Sequence, residues 1–265
     1  MKAAGARQVN ADPAGDASAR QTSDYAKRHL AAWVPVHYDQ VMYAADSYDT
    51  FTWKVQRPFI RAIAESTTHL AGGLRYLDFA CGTGRITSAL EDLAGESIGL
   101  DISPDMVAAA AAKSTRASFL SGDILSEPDL LSGRFDLITA FRFFVNTEDE
   151  MRRRVMPALG ALLAGRDSRL VFNVHMNTAH FIPNYVYRRL HGWPGWRTMS
   201  YWHARRLAHE AGLEVVDLYG FGLVPERLHR GRLARAARWI DRKTAGKTPF
   251  RLLCRDLVLV CRLRA

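Results

Sequence analysis

The sequence predicts an α/β fold, with an open, mostly parallel sheet that carries helices on both faces. Apolar segments of strand length alternate with segments whose apolar residues recur at helical spacing, which is typical of a parallel sheet. A glycine turn, Gly82-Thr83-Gly84, joins the first strand to a helix. An acidic residue closes each of the first three strands, at Asp78, Asp101 and Asp123. Because such sheets bind ligands at the carboxyl ends of their strands, these acids predict a binding site at that edge.

The composition is that of a globular protein with a basic surface. The chain of 265 residues is long enough for one domain with a full core, and 48% of the residues are hydrophobic against 24% charged. The formal net charge is +9. This charge favours an acidic partner, and nucleic acid, an anionic membrane and a phosphorylated substrate all stay open.

The start of the chain predicts a cytoplasmic location. Residues 1–23 lack a signal-peptide core and predict a disordered tail. No apolar run approaches the length of a membrane span. The three cysteines, Cys81, Cys254 and Cys261, lack the spacing of a metal or redox site, so we expect buried thiols and no metal.

The rest of the chain divides into a cap and a sheet domain. Aromatic and apolar residues predict an N-terminal helical cap over residues 24–70, with a helix over residues 59–70. The sheet domain is expected over residues 71–265, with insertions at 177–198 and 225–250. The first insertion interleaves aromatic residues with arginines, which is typical of a binding loop or lid.

The first strand, residues 74–79, leads into a cradle for a nucleotide-like ligand. Small residues from Ala80 to Gly84 allow a tight turn, and helical spacing begins at Arg85. Glycine admits a ligand close to the backbone, and the N–H groups at the helix start face it. The dinucleotide fingerprint requires a third glycine, and Thr87 occupies that place.

Asp101 ends the second strand, about twenty residues after the glycines, where a carboxylate can accept hydrogen bonds from both hydroxyls of a ribose. A helix-capping role is disfavoured, because Ser103 stands immediately before Pro104 and supplies the cap.

The segment Leu77-Asp78-x-x-Cys81-Gly82-Thr83-Gly84 resembles the first motif of class I S-adenosylmethionine-dependent methyltransferases, of the small-molecule and glycan type. The resemblance implies a Rossmann-like sheet of seven strands with the last strand antiparallel, and S-adenosyl-L-methionine as the cofactor. It also implies that Asp123 meets the adenine amino group while Ile124 packs on the ring. The residues expected at the cofactor are Asp78, Ala80, Cys81, Gly82, Gly84, Asp101, Ile102, Asp123, Ile124 and Phe141.

In this family the tip of the fourth strand faces the methyl group that is transferred. Enzymes that methylate exocyclic amines of bases often carry a Pro-Pro-aromatic tetrapeptide there. This chain has Ala140-Phe141-Arg142-Phe143 instead, which argues against an adenine or cytosine N-methyltransferase. Arg142 is a catalytic candidate, and either a salt-bridged scaffold residue or a clamp for an anionic substrate.

The fifth strand is predicted over residues 169–177, and alternation places Asn173, His175 and Asn177 on one face. His175 is the candidate general base because an imidazole titrates near neutrality, and a structural histidine is the alternative. The residues expected at the acceptor are Tyr38, Arg142, Asn173, Asn177, Tyr185 and Trp196.

The second insertion predicts an amphipathic basic helix. Leu233, Ala237 and Ile240 share one face opposite a row of arginines, and Trp239 is expected beside that apolar stripe. The helix either covers the sheet edge or rests on an anionic membrane, which would place the protein at the inner face of that membrane.

These features predict methyl transfer to oxygen or nitrogen of a small-molecule, glycan or lipid-linked acceptor. An RNA methyltransferase is the second interpretation, favoured by charge but lacking a recognisable RNA-binding appendage, so a nucleic-acid partner is disfavoured. A non-catalytic cofactor-binding partner protein is the third, and the intact acidic strand ends argue against it.

Overall fold

The computed structural model describes residues 44–67, 73–127, 129–181 and 198–265. Seven strands in these residues form one sheet in the order β3-β2-β1-β4-β5-β7-β6. The pairings of β1 to β5 are parallel, whereas β7 runs antiparallel to both β5 and β6, which confirms the predicted fold. The strands are β1 (Leu74–Phe79), β2 (Ala94–Asp101), β3 (Ser118–Ser121), β4 (Leu137–Ala140), β5 (Arg169–Val174), β6 (Leu213–Phe221) and β7 (Asp256–Leu263).

Helices cover both faces of this sheet, as predicted. One apolar cluster joins Leu77 and Phe79 of β1 to α4 and α5, and another joins Leu74 and Tyr76 of the same strand to α1 and α2. Alternate residues of a strand point to opposite faces, so the two clusters lie on opposite sides of the sheet. The helices are α1 (Tyr48–Thr67), α2 (Thr87–Leu90), α3 (Pro104–Ala111), α4 (Asp149–Ala161), α5 (Tyr201–Glu210) and α6 (Ala234–Lys243).

Three predicted boundaries were wrong. Helix α1 begins at Tyr48 and runs through Pro58, because buried residues at helical spacing, from Phe51 to Ala64, outweigh the hydrogen bond that a proline removes. Strand β3 ends at Ser121, so Asp123 lies in the following turn. Strand β5 ends at Val174.

Several predictions fall outside the described residues. They are the disordered tail at 1–23, the cap residues 24–43 and 68–70, and residues 182–197 of the first insertion, with the acceptor candidates Tyr38, Tyr185 and Trp196.

The strand order fixes where a ligand can lie. From β1 the sheet runs through β2 to β3 in one direction and through β4 to β5 in the other. Open sheets bind ligands at the carboxyl ends of the strands beside such a reversal, which here means the ends of β1 and β4. The three cysteines are buried and free, as predicted. Within the described ranges, no helix has both the length and the apolar character needed to cross a bilayer.

Candidate functional site

The turn after β1 is held in a left-handed backbone conformation. Ala80, Gly82 and Gly84 have φ angles of 54°, 55° and 77°. A Cβ added to Gly84 would lie 2.9 Å from that of Ala110, so this glycine allows α3 to approach the turn. A Cβ added to Gly82 would meet no atom within 4 Å. The backbone at Gly82 therefore faces open space, as a site for a closely approaching ligand requires.

Asp101 at the end of β2 holds this turn in place. Its Oδ2 accepts the Gly82 N–H at 2.9 Å, and its Oδ1 accepts the Ser103 N–H at 2.9 Å. The carboxylate thus ties the turn to the end of β2, the strand beside β1. Ser103 itself accepts the Met106 N–H at 3.4 Å, which confirms it as the cap of α3.

Asp78 lies beneath the turn and is fully buried. Its Oδ2 accepts the Thr87 N–H at 2.9 Å and the Thr87 hydroxyl at 2.6 Å, and its Oδ1 accepts the Thr139 hydroxyl at 2.7 Å. Burial raises the pKa of Asp78 to about 6, against the opposing effect of these hydrogen bonds. The geometry therefore favours a positioning role for Asp78, which ties the start of α2 to β1 and β4, over the predicted direct contact with the cofactor.

The other cofactor candidates lie around the same edge. Asp123 Oδ1 accepts the Leu125 N–H at 2.9 Å in the turn after β3, with Ile124 half-buried beside it. Ile102 is half-buried next to Asp101, and Phe141 is buried at the end of β4. Cys81 is buried in the turn, and that burial raises the pKa of its thiol, so it is a packing residue and not a nucleophile.

Arg142, two residues past the end of β4, has a φ of 60°. Its N–H donates to Asn173 Oδ1 at 2.6 Å, and its carbonyl accepts from Asn146 Nδ2 at 2.6 Å. Its guanidinium lies 2.7 Å from Asp49 Oδ1 on α1. A non-glycine residue in this conformation needs support from its surroundings, and these three contacts supply it. Of the two roles left open for Arg142, the geometry favours the salt-bridged one.

Arg142 belongs to a set of ionisable side chains, the charged cluster. It is made up of the largely buried Asp49, Arg142 and Arg255 and the buried His175 and Asp256. Arg255 Nη1 lies 3.5 Å from Asp49 Oδ1. Burial alone would raise the pKa of Asp49, but Arg142 and Arg255 hold it below its usual value. Burial raises the pKa of Asp256 to about 6, and Arg255 opposes that shift.

His175 is neutral in this environment. Burial lowers its pKa well below 6.5, and the positive charges of Arg142 and Arg255 lower it further. In the described part of the chain, the buried polar atoms without a hydrogen-bond partner at this edge include His175 Nδ1, Asp256 Oδ1 and the Tyr48 hydroxyl. Buried polar groups are normally bonded, so these atoms mark a place where water or polar groups of a ligand fit.

Asn177 is engaged in the fold. Its amide donates to the carbonyls of Leu252 and Cys254 at 2.7 and 2.8 Å, and its Oδ1 accepts the Ala179 N–H at 3.3 Å. Both amide hydrogens are used within the protein, which argues against the predicted substrate contact. Asn173 likewise acts through Arg142.

Sequence reasoning missed Asp49, Arg255 and Asp256. The sequence did contain a signal for Arg255 and Asp256. They are charged residues immediately before and at the start of an apolar strand, and a charge in such a place is costly unless it is paired. Strand β7 is antiparallel, so its beginning lies at the edge where the parallel strands end. Asp49 gave no signal, because its partners are far away in the chain.

A family model and a curated relative each match part of this chain. Residues 77–165 match a family model described as a methyltransferase domain. The ribosomal protein L11 methyltransferase of Ralstonia pickettii (strain 12J) is 32% identical over 130 residues. That alignment covers 47% of this chain and 43% of the relative, so the chain spans less than half the length of the curated protein it matches.

Solved structures share the fold. An S-adenosylmethionine-dependent methyltransferase from Clostridium acetobutylicum ATCC 824 has a TM-score of 0.57 at 15% identity, covering 86% of this chain and 96% of that one. The magnesium protoporphyrin IX methyltransferase of Synechocystis PCC 6803, with bound SAM, has a TM-score of 0.56 at 13% identity, covering 93% and 100%. At these identities the likeness concerns the fold alone.

Proposed function

We propose that this chain, which carries a methyltransferase domain of the class I S-adenosylmethionine-dependent family, transfers a methyl group to an oxygen or nitrogen of a small-molecule, glycan or lipid-linked acceptor. S-adenosylmethionine is the cofactor of this family. One observation carries the proposal: the turn that Asp101 holds and the charged cluster lie at the ends of β1 and β4, the neighbouring strands where the sheet reverses. A cradle and a polar acceptor site thus meet at the place where such sheets bind ligands.

The cofactor side would use groups that are already positioned. Asp101 stands at the end of β2 beside the turn, where a carboxylate can accept from a ribose, and the backbone at Gly82 faces open space. Asp123 and Ile124 follow β3, the strand next to β2, where an adenine ring would extend. When bound, the cofactor supplies a methyl group that is activated by a sulfonium. The protein mainly has to align the acceptor atom with that methyl group.

The acceptor side would supply proton removal and orientation. A hydroxyl acceptor needs a base, and His175 is neutral and therefore able to take a proton. Arg142 and Arg255 lie close enough to lower its pKa, and their charges would also stabilise negative charge that develops on an acceptor oxygen. An amine acceptor that is already neutral would depend less on His175.

A protein acceptor is a second candidate, favoured by the name of the curated relative. A transfer screen with radiolabelled methyl groups separates the possibilities. The wild-type protein would be incubated with labelled S-adenosylmethionine and four fractions: polar metabolites, extracted lipids and glycolipids, RNA, and ribosomal proteins. The Asp101→Ala variant controls for background labelling.

We expect label in the metabolite or lipid fraction, and its loss in the variant. Label confined to the ribosomal proteins or to RNA would replace the proposed acceptor class. If no fraction is labelled although the protein binds S-adenosylhomocysteine, the proposal that it is an active enzyme is refuted. That result would support a non-catalytic, cofactor-binding partner protein instead.

A further inference from the structure

Exposed apolar side chains concentrate in the second insertion and the few residues that follow it, up to Leu253. Of the eight large hydrophobic residues exposed in the described part of the chain, six lie between residues 233 and 253. Single exposed hydrophobic residues are normal on a protein surface, but a concentration of this kind marks an interaction site. The six are Leu233, Trp239, Ile240, Phe250, Leu252 and Leu253.

The other side of α6 fixes this helix to the domain. Ala237 and Asp241 are its buried residues. Asp241 Oδ1 accepts the Val224 N–H at 2.9 Å, and its Oδ2 lies 2.9 Å from His229 Nε2. The Arg238 guanidinium lies 5.8 Å from the centre of the Phe51 ring on α1.

Trp239 lies on the outward side of α6, among cations. It is 62% exposed, and the exposed Arg235 and Lys243 stand four residues before it and four residues after it, so they share its face. Of the predicted apolar stripe, Ala237 is buried, while Leu233 and Ile240 are exposed.

We propose that the exposed residues of 232–253, the insertion surface, dock onto an anionic lipid bilayer. Charge complementarity selects this partner, because each Lys or Arg near an anionic leaflet is attracted to it. Tryptophan and aliphatic side chains among cations are typical of helices that lie in a membrane interface. Nucleic acid would match the charge but gives no reason to expose Leu233, Ile240 and Leu253.

The insertion surface adjoins the acceptor side of the sheet. His229, which contacts α6, packs edge-on against Tyr48 with ring centres 4.7 Å apart. The next residue, Asp49, belongs to the charged cluster. Docking therefore places the charged cluster near the lipid surface. It narrows the proposed acceptors to those that are lipid-linked or dissolved in the membrane, and this second step rests on the proposed function.

Flotation with vesicles tests the docking. Full-length protein would be mixed with vesicles of phosphatidylcholine alone, or of phosphatidylcholine with phosphatidylglycerol. We expect co-flotation with the anionic vesicles only, and weaker co-flotation at higher salt.

Two matched pairs of variants locate the contact. Trp239→Ala is compared with Trp202→Ala, because Trp202 on α5 is 65% exposed and distant in sequence. The double variant Arg235→Glu/Lys243→Glu is compared with a control double variant, Arg154→Glu/Arg205→Glu. The control makes the same change in net charge at exposed positions elsewhere.

The insertion variants are expected to weaken partitioning by about tenfold for the tryptophan and about twentyfold or more for the charge reversal. The variants outside the insertion should leave partitioning within about twofold of wild type, apart from the general effect of net charge. The proposal would be overturned if both members of a pair lost binding equally, or if the protein bound neutral vesicles as well as anionic ones. It would also be overturned if added RNA abolished flotation.

Calorimetry with S-adenosylhomocysteine on the same preparations separates this inference from the proposed function. Cofactor binding without flotation refutes the docking alone. Flotation without cofactor binding refutes the methyltransferase proposal and leaves a membrane-binding protein.

Discussion

The two sides of the candidate site are built in different ways. On the cofactor side, around β1 and β2, carboxylates hold backbone N–H groups: Asp101 accepts from Gly82, 19 residues away, and Asp78 from Thr87, 9 residues away. On the acceptor side, around β4, β5 and β7, carboxylates meet arginines. Asp49 and Arg255, which pair there, are 206 residues apart.

This difference determines what each side depends on. The cofactor side is assembled by one strand-turn-helix unit and its neighbour, so its shape follows from short stretches of sequence. The acceptor side exists only when α1, β4 and β7 have come together. Its ion-paired side chains are only 11–17% exposed, and the loss of a partner costs far more for a charge that is largely buried than for an exposed one.

The largest expected effect follows from removing a cation from the charged cluster. Arg255→Met removes one of the two cations beside Asp49 and the positive charge that most opposes the raised pKa of Asp256, so the free energy of unfolding should fall by about 3–5 kcal/mol in chemical denaturation. Arg255→Lys, which keeps the charge but loses the planar fork, should cost less.

The control for this prediction is Arg262→Met in the same strand. Arg262 pairs with Glu214 at 2.6 Å, but both side chains are about two-fifths exposed, so we expect a loss of about 1 kcal/mol or less. Similar losses at the two positions would mean that burial does not distinguish the charged cluster from a surface ion pair.

The next effect concerns catalysis on the acceptor side. With a hydroxyl acceptor, His175→Ala should lower turnover by about 10²-fold while the protein stays folded and binds cofactor. Because the pKa of His175 is lowered, its neutral form persists as the pH falls through about 6.5, so wild-type turnover should not decline there as it would with an ordinary histidine base.

Rates measured from neutral to mildly acidic pH give this profile. If the rate falls to half its maximum near pH 6.5, and does so in His175→Ala as well, the titration belongs to another group. Wild-type turnover in the variant would return His175 to a structural role.

The smallest effect tests the backbone of the cofactor side. Ala80 has a φ of 54°, a conformation that costs an alanine about 1–2 kcal/mol. Ala80→Gly removes this cost but makes the unfolded chain more flexible, which opposes folding. The net effect should be a stabilisation of about 0.5 kcal/mol. The reverse change at Gly82, with a φ of 55°, meets no atom and should destabilise by about 1 kcal/mol. Changes of equal sign in thermal unfolding would contradict this account of the turn.

The sequence could predict the cofactor side because its signals are local. The glycines, Asp78, Asp101 and the cap Ser103 lie in short segments whose spacing indicates strand, turn and helix. What spacing could not show is that Asp78 faces inward to Thr87 and Thr139, because this depends on packing against β4.

The acceptor side was only partly predictable. Arg142 and His175 were found because strand ends are a known place to look, but Arg142's partner Asp49 lies on a helix that the sequence placed too late in the chain. The partners of Asn177, the carbonyls of Leu252 and Cys254, come from a loop 75 and 77 residues away. Contacts at such separations leave no local pattern.

The central claim, a cofactor site that is built separately from the acceptor site, is tested most directly by calorimetric titration with S-adenosylhomocysteine. Four proteins are compared: wild type, Asp101→Ala, Asp105→Ala as an exposed acidic control in the first turn of α3, and His175→Ala. We predict that Asp101→Ala weakens binding by about 1–3 kcal/mol, roughly fivefold to 150-fold, because the turn and the ribose hydroxyls lose their acceptor. Asp105→Ala and His175→Ala should bind as wild type does, and wild-type affinity in Asp101→Ala would contradict the account.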